Sequence, residues 1–249
     1  MTAQRSFQLW RGDASAGSFV QYETEARDGM VVLDAVREIQ RTQAKDIAVR
    51  WNCKAAKCGS CGAEVNGKPS LMCKTRLDAL PPDRPITVAP LRAFPIIRDL
   101  VSDVSWNYEV NRKIPPFSPK PDTDWRMQQE DVDRAEEFRK CIECFLCQDV
   151  CHVLRDHNLK SRYFGPRFLA RIASLEMHPL DNVDRTDLLT GPAGLGLCNI
   201  TKCCTEVCPE GIHITDNAII PLKERVADRR YDPLMSLARR IRERRNARG

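Results

Sequence analysis

The chain has 249 residues and a formal net charge of +5; 42% of its residues are hydrophobic and 29% are charged, which excludes disordered and fibrous classes. Its length exceeds the usual domain size of roughly 100–150 residues and favours two domains. No run approaches the roughly 18 apolar residues of a membrane-spanning helix, and the first residues lack the apolar core of a secretory signal, so we expect a cytosolic protein. Residues 223–249 carry ten Lys or Arg against four Asp or Glu. The rest is nearly neutral, which argues against nucleic-acid binding.

Two stretches of the first hundred residues alternate apolar and polar side chains. Val20 and Tyr22 alternate with polar neighbours, and Ile47 and Val49 do so further along the chain. A period of two residues is typical of a strand with one buried face. The sequence therefore predicts a strand at each place.

A helix is predicted between these two strands. Leu33, Val36 and Ile39 recur at helical spacing in the segment GMVVLDAVREIQ. Further along, Asn66-Gly67 is a dipeptide that favours a two-residue hairpin turn, and residues 86–88 predict a closing strand. Together these patterns predict a small mixed sheet packed on one helix.

A proline-rich segment separates the two halves of the chain. Residues 111–124 contain four prolines and no apolar periodicity, so they are interpreted as a semi-rigid linker or surface excursion. We place the domain boundary near this segment, with one domain at 1–105 and the other at 106–249.

The second half shows helical patterns and no comparable strand pattern. One helix is predicted to begin at Gly165-Pro166, because proline is favourable at the first helical position. Its apolar face comprises Phe168, Leu169 and Ile172. Another helix is predicted to begin at Asp232-Pro233, with an apolar stripe of Leu234, Leu237 and Ile241.

The first group of the twelve cysteines has a recognisable spacing. The segment CKAAKCGSC, followed by a fourth cysteine, has the C-x4-C-x2-C…C pattern that holds a [2Fe–2S] cluster through four thiolates. Small residues between the cysteines allow backbone N–H groups to point at the sulfur atoms. A zinc knuckle in a colourless binding module is the alternative, although it usually needs a second close pair. The predicted [2Fe–2S] ligands are Cys53, Cys58, Cys61 and Cys73.

The second and third groups both follow the ferredoxin template C-x2-C-x2-C-x3-C. The second group is complete, whereas the third has Thr201 where the template places a cysteine. In two-cluster ferredoxins the fourth cysteine of each run binds the other cluster. The predicted [4Fe–4S] ligands are therefore Cys141, Cys144, Cys147 and Cys208. Three cysteines remain for a [3Fe–4S] cluster, namely Cys151, Cys198 and Cys204.

Cys203 is left over by this assignment. It is adjacent to Cys204 and could replace that residue or supply a fourth ligand. The other interpretation is a buried thiol that binds no metal.

Taken together, the chain resembles the iron–sulfur subunit of the succinate dehydrogenase and fumarate reductase family over nearly its whole length. The similar segments are VLDAVREIQ, CGSCGAEVNGKPSLMC, PLRAFPIIRDL, FGP at 164–166 and CPEGI at 208–212. The resemblance implies an α+β fold, in which a β-grasp [2Fe–2S] ferredoxin-like domain is followed by an all-α two-cluster ferredoxin domain.

The resemblance also implies a function. The chain would relay electrons from the FAD of a flavoprotein subunit to a quinone in a membrane anchor, at the cytoplasmic face of the cell membrane. This is the role of a succinate dehydrogenase subunit in the tricarboxylic acid cycle and the respiratory chain. None of its own residues would act as a general acid or base. A fumarate reductase subunit, running in reverse or with a soluble electron donor, is the alternative.

The chain departs from ubiquinone-reducing members of this family near the third cysteine group. Those members usually have proline directly after the cysteine equivalent to Cys151, a tryptophan soon after it, and histidine after the cysteine equivalent to Cys198. Here the two adjoining positions hold His152 and Asn199, and the last tryptophan of the chain is Trp125. A menaquinone-linked or structurally different anchor is therefore expected. His152 is a candidate to contact the quinone, and the alternative is a hydrogen-bonded residue beside the cluster ligand. For the basic segment ARRIRERRNARG we expect contact with lipid or the anchor, or a solvated helix, before RNA.

Overall fold

The structure, a computed structural model, describes residues 3–233 of the chain. These residues form two compact units, each built from several chain segments. The first unit comprises residues 3–109, 140–158 and 203–212, and the second comprises residues 110–139, 159–202 and 213–233. The helix predicted from Asp232-Pro233 and the basic segment near the C-terminus lie outside the described residues.

A five-stranded mixed sheet forms the centre of the first unit. Its strands lie in the order β2-β1-β5-β3-β4, with β1 and β5 parallel and every other pair antiparallel. The strands are β1 (Ala3–Gly12), β2 (Gly17–Ala26), β3 (Gly62–Val65), β4 (Lys68–Leu71) and β5 (Ile86–Ala89). The strand predicted as the closing one is thus the central strand. A separate two-stranded ribbon is formed by β6 (Ile96–Arg98) and β7 (Val101–Ser102).

The predicted helix is α1 (Val32–Thr42), and its apolar face is buried. Leu33, Val36 and Ile39 are all fully buried, as are Phe7 and Leu9 of β1. Burying a side chain of this size contributes roughly 1.5–3 kcal/mol. The hydrophobic stripe of α1 therefore fixes which face of the helix turns inward.

The predicted strand at Ile47 and Val49 is wrong. This segment has no strand pairing, although Ile47 itself is buried. Its backbone is not part of a sheet ladder. The Ala48 N–H donates to Asp99 Oδ2 at 2.8 Å, the Ile47 carbonyl accepts from Gln40 Nε2 at 2.7 Å, and the Leu100 N–H donates to the Ala48 carbonyl at 3.2 Å. The alternating pattern correctly predicted that Ile47 is buried, but it did not predict which groups bind the backbone of this segment.

The predicted hairpin is confirmed. Asn66 and Gly67 form the two-residue turn between β3 and β4, with φ angles of 49° and 76°. Two consecutive positive φ angles are characteristic of the type I′ turn, which matches the twist of the flanking strands. This hairpin sets the position of Cys73, which follows β4 by two residues.

The remaining described elements are helical. Within residues 103–233 no strand is present, apart from one isolated bridge between Pro119 and Asp181. The helices are α2 (Ser105–Arg112), α3 (Gln129–Glu136), α4 (Leu146–Asp149), α5 (His152–Arg155), α6 (Pro166–Glu176), α7 (Thr186–Thr190), α8 (Cys203–Glu206) and α9 (Ile220–Tyr231), with a π-helix at Ile214–Ile219. Helix α6 begins at the predicted proline. No helix within residues 3–233 is both long and apolar enough to cross a membrane.

The proline-rich segment is anchored by a buried arginine. The guanidinium of Arg185 is completely buried and donates to the carbonyls of Pro115 and Pro116 at 3.0 and 2.8 Å. It also pairs with Asp181 at 2.9 Å and lies 3.6 Å from Glu176. The two carboxylates compensate the buried charge of Arg185. Its hydrogen bonds to the two proline carbonyls attach this segment to the rest of the second unit.

Candidate iron–sulfur site

The first cysteine group lies in the irregular loop between α1 and β3, completed by Cys73 after β4. Cys53 is exposed, Cys58 is half-buried, and Cys61 and Cys73 are buried. Backbone N–H groups donate to two of the sulfurs. Those of Ala55 and Lys57 lie 3.3 Å from Cys53 Sγ, and that of Ala56 lies 3.3 Å from Cys73 Sγ.

The backbone of this loop explains the hydrogen bonds. Lys54, Ala56 and Gly59 have φ angles of 56°, 54° and 70°. Left-handed residues placed between ordinary ones turn successive N–H groups toward one side and form an anion-binding concavity, as at many iron–sulfur sites. The conformation costs about 1–2 kcal/mol for each residue with a Cβ atom. The loop is therefore strained in a way that suits bound negative charge.

Two thiols of the first group differ sharply in acidity. The Ser60 hydroxyl lowers the pKa of Cys58 to about 6, whereas burial raises the pKa of Cys61 to about 12. Thiolates are the form that binds iron, so cluster binding must release the Cys61 proton.

The second predicted ligand set converges within the first unit. Cys141, Cys144 and Cys147 precede or begin α4, and Cys208 follows α8. Burial, together with the neighbouring Cys141 and Cys208 thiols, raises the pKa of Cys144 to about 12. Burial also raises the pKa of Cys147 well above its usual value, and the other three thiols of the set and Cys204 add to that increase. The fold thus gathers the four thiols around one place.

The second loop repeats the backbone pattern of the first. Glu143 and Phe145 have φ angles of 55° and 60°. The Ile212 N–H donates to Cys208 Sγ at 3.4 Å. The segment between Cys198 and Cys204 also has alternate left-handed residues, Ile200 at 63° and Lys202 at 62°. Left-handed residues at alternate positions therefore occur in all three cysteine groups.

Of the third predicted set, Cys151 and Cys204 lie in the first unit and Cys198 lies in the second. Burial raises the pKa of Cys151 to about 12, and the nearby thiols of Cys203 and Cys204 raise it as well. Cys203 opens α8 and is half-buried. Cys203 lies near Cys151, a predicted ligand of the third set. Whether Cys203 binds a cluster stays a prediction.

His152 begins α5 directly after Cys151. Its ring lies edge-on to that of His157, with the centroids 6.2 Å apart. The side chain is half-buried. Contact between His152 and a quinone remains a prediction.

The residues present fit iron–sulfur clusters. Each of the first two sets offers four thiols and no other ligand type, with N–H groups directed at sulfur. Soft thiolates are the ligands that such clusters use. Among residues 3–233, no group of three or more His, Cys, Asp or Glu side chains is arranged to hold a single metal ion.

Sequence reasoning missed the contacts between the first-cluster loop and the second ligand set. A Cβ atom at Gly59 would lie 2.9 Å from Cys144 Cα. Lys74 Nζ donates to the Pro209 carbonyl at 2.6 Å, and Lys57 Nζ lies 3.4 Å from a carboxylate oxygen of Glu210. No sequence signal predicts these contacts, because the partners are far apart along the chain.

Comparison with known proteins agrees with this description. The family model of the 2Fe-2S iron-sulfur cluster binding domain matches residues 6–109, and that of the 4Fe-4S dicluster domain matches residues 137–212. The predicted fold class, a [2Fe–2S] sheet domain followed by a helical ferredoxin region, is thereby confirmed.

Several proteins are similar to this chain over most of its length. The fumarate reductase iron-sulfur subunit of Mycobacterium tuberculosis is 34% identical over 80% of this chain and 82% of its own length. The succinate dehydrogenase iron-sulfur subunit of Paracoccus denitrificans is 28% identical over 92% of this chain and 90% of its own. A chain of the Mycobacterium smegmatis Sdh1 complex in the apo form superposes with a TM-score of 0.91 at 60% identity, covering 94% of this chain and 99% of that one. The chain therefore belongs to the family of electron-transferring iron–sulfur subunits of succinate dehydrogenases and fumarate reductases.

Proposed function

We propose that this chain is the iron–sulfur subunit of a succinate dehydrogenase. In this role it takes electrons that a flavoprotein subunit removes from succinate and passes them to a quinone, menaquinone, in a membrane anchor. The observation that carries the proposal is the convergence of the four thiols of the second set beside a loop holding the first set. The 60% identity to a chain of the Sdh1 complex favours succinate oxidation as the direction.

The proposed ligands are those that the spacing predicts. Cys53, Cys58, Cys61 and Cys73 would hold a [2Fe–2S] cluster, and Cys141, Cys144, Cys147 and Cys208 a [4Fe–4S] cluster. Bound clusters would supply one-electron redox centres. A [3Fe–4S] cluster is proposed for the last three thiols, Cys151, Cys198 and Cys204.

The chain's own residues would tune and protect these centres. Backbone N–H groups directed at Cys53, Cys73 and Cys208 favour additional negative charge on sulfur, which raises a reduction potential. Burial of Cys61 and Cys147 keeps water away from those ligands. Cys53, by contrast, is exposed, and this leaves one edge of the first site open to a partner.

The proposed setting is a complex peripheral to the cytoplasmic face of the membrane. FAD would belong to the flavoprotein partner, and the anchor would hold the quinone, with His152 as the candidate quinone contact. The departures at His152 and Asn199 from ubiquinone-linked members support menaquinone. If His152 has this role, His152→Ala will slow quinone reduction while leaving electron transfer to a soluble dye unchanged. Normal quinone kinetics in that variant would remove His152 from the site.

A fumarate reductase subunit is the second candidate, because the subunit of that name from Mycobacterium tuberculosis is 34% identical. The two candidates are separated by purifying the chain with its native partners and measuring both reactions. Succinate oxidation coupled to a menaquinone analogue should exceed fumarate reduction by the corresponding quinol. A preparation that reduces fumarate faster, or that accepts electrons only from a soluble donor, contradicts the first proposal.

A further inference from the structure

Two lysines next to first-cluster ligands bind the segment that carries the last ligand of the second cluster. Lys57 precedes Cys58 and Lys74 follows Cys73 in the sequence. Lys74 Nζ donates to the carbonyl oxygen of Pro209 at 2.6 Å, and Lys57 Nζ lies 3.4 Å from Glu210 Oε2. Pro209 and Glu210 directly follow Cys208. Both lysines therefore reach away from their sequence neighbours.

The two contacts differ in their net charge. The Lys57 ammonium meets a carboxylate, so that contact adds one positive and one negative charge. The Lys57 side chain is also 71% exposed, and water weakens such a pair. The Lys74 side chain is exposed as well, but its ammonium is bound by a carbonyl, which does not neutralise it. An uncompensated positive charge therefore lies at Pro209, the residue that follows Cys208.

A fixed positive charge beside a cluster ligand stabilises the added electron of the reduced state. The reduction potential of an iron–sulfur cluster depends on net charge and on hydrogen bonding near its sulfurs. In the sequence Lys74 adjoins Cys73, a proposed ligand of the first cluster. The contact instead places its ammonium on the Cys208 segment.

We propose that Lys74 is a positioning residue of the second cluster, holding the segment after Cys208 and raising the potential of that cluster. The inference rests on the proposed ligand sets. Lys57 and Glu210 give the same segment a second, charge-balanced attachment. Electron transfer from the first to the second cluster would then be favoured by a residue that adjoins a ligand of the first cluster.

The test is a redox titration of the complex purified with its native partners, with reduced-state electron paramagnetic resonance used to separate the clusters. Lys74→Met removes the charge and the hydrogen bond, while Lys74→Arg retains both. Lys68→Met is the matched control, because Lys68 is also exposed, at the start of β4, and its loss changes the net charge by the same amount.

Lys74→Met should lower the midpoint potential of the second cluster more than that of the first, or selectively release the second. Lys74→Arg should retain the wild-type potential, and Lys68→Met should leave both clusters unchanged. A shift confined to the first cluster, selective loss of the first cluster, an equal shift in Lys68→Met, or no shift overturns the inference. Wild-type complex without cluster signals would instead contradict the proposed function itself.

Discussion

The first and second ligand sets solve the same chemical problem in different ways. The first is assembled locally: three of its cysteines lie within nine residues, its backbone is left-handed at alternate positions, and Cys53 stays exposed. The second depends on the tertiary fold, because Cys208 must be brought to the loop that contains Cys141, Cys144 and Cys147. Burial is the main cause of the raised pKa values of Cys144 and Cys147 in this set. The difference shows that a short loop with left-handed residues can arrange most of one ligand set by itself. A buried set instead requires that segments far apart in the sequence come together.

The largest expected effect comes from removing the distant ligand. Cys208→Ala should eliminate the [4Fe–4S] signal while the [2Fe–2S] signal remains, because the first set is assembled without that residue. Reduced-state electron paramagnetic resonance checks this. Cys203→Ala in the same segment is the control and should retain the [2Fe–2S] and [4Fe–4S] signals. Loss of the [2Fe–2S] signal in Cys208→Ala would show that the first set is not locally assembled.

Thiol reactivity in iron-free protein should separate Cys58 of the first set from Cys144 of the second by several orders of magnitude. The pKa of Cys58 is about 6, so this thiol is ionised and reactive at neutral pH, whereas the pKa of Cys144 is about 12 and its thiol remains protonated. Alkylation followed by mass spectrometry should modify Cys58 first, with a rate that falls below about pH 6. Ser60→Ala removes the hydroxyl that lowers this pKa and should shift the fall to higher pH. Faster modification of Cys144 would contradict the contrast.

Gly59 tests the packing between the two regions. Gly59→Ala would bring a Cβ atom to 2.9 Å from Cys144 Cα and 3.0 Å from the Ile142 carbonyl oxygen. Overpacking of this kind costs about 1–3 kcal/mol. Gly67→Ala is the matched control, because Gly67 has a similar φ of 76° but no atom within 4 Å of the added Cβ. The thermal midpoint should fall further in Gly59→Ala than in the control, and equal midpoints would refute the close contact.

The smallest expected effect comes from relieving the strain of the first loop. Ala56 has a φ of 54°, so Ala56→Gly should stabilise the loaded protein by about 1 kcal/mol through removal of the Cβ clash. The N–H group that donates to Cys73 remains. Ala55→Gly, one residue away, adds flexibility without relieving a positive φ and should bring no gain. The rate of cluster release on heating compares the two variants. Slower release from Ala55→Gly than from Ala56→Gly would count against a strained concavity at Ala56.

The features that the sequence predicted correctly depend on residues that are close together in the chain. The hairpin at Asn66-Gly67, the α1 stripe and the helix starting at Pro166 all depend on residues close together in the chain, and all are confirmed. The ligand sets and the boundary between domains 1–105 and 106–249 stay predictions.

Sequence could not predict what depends on distant partners. Ile47 alternates like a strand residue, but the hydrogen bonds of this segment come from the side chains of Gln40 and Asp99 and from single backbone contacts, not from a strand ladder. Arg185 fixes the prolines of the expected linker from about 70 residues away. The Lys74 contact with Pro209 is of the same kind. Such interactions follow from the fold and leave no periodic pattern in the chain.

The composition of the clusters tests the central claim most directly. Iron and sulfide analysis of the anaerobically purified native complex, combined with electron paramagnetic resonance of its oxidised and reduced states, counts the clusters and identifies each. The three proposed ligand sets predict about nine iron atoms per chain, a three-iron signal in the oxidised protein, and [2Fe–2S] and [4Fe–4S] signals after reduction. A fully loaded protein that lacks the three-iron signal would contradict the third ligand set. Zinc without sulfide would contradict the account as a whole.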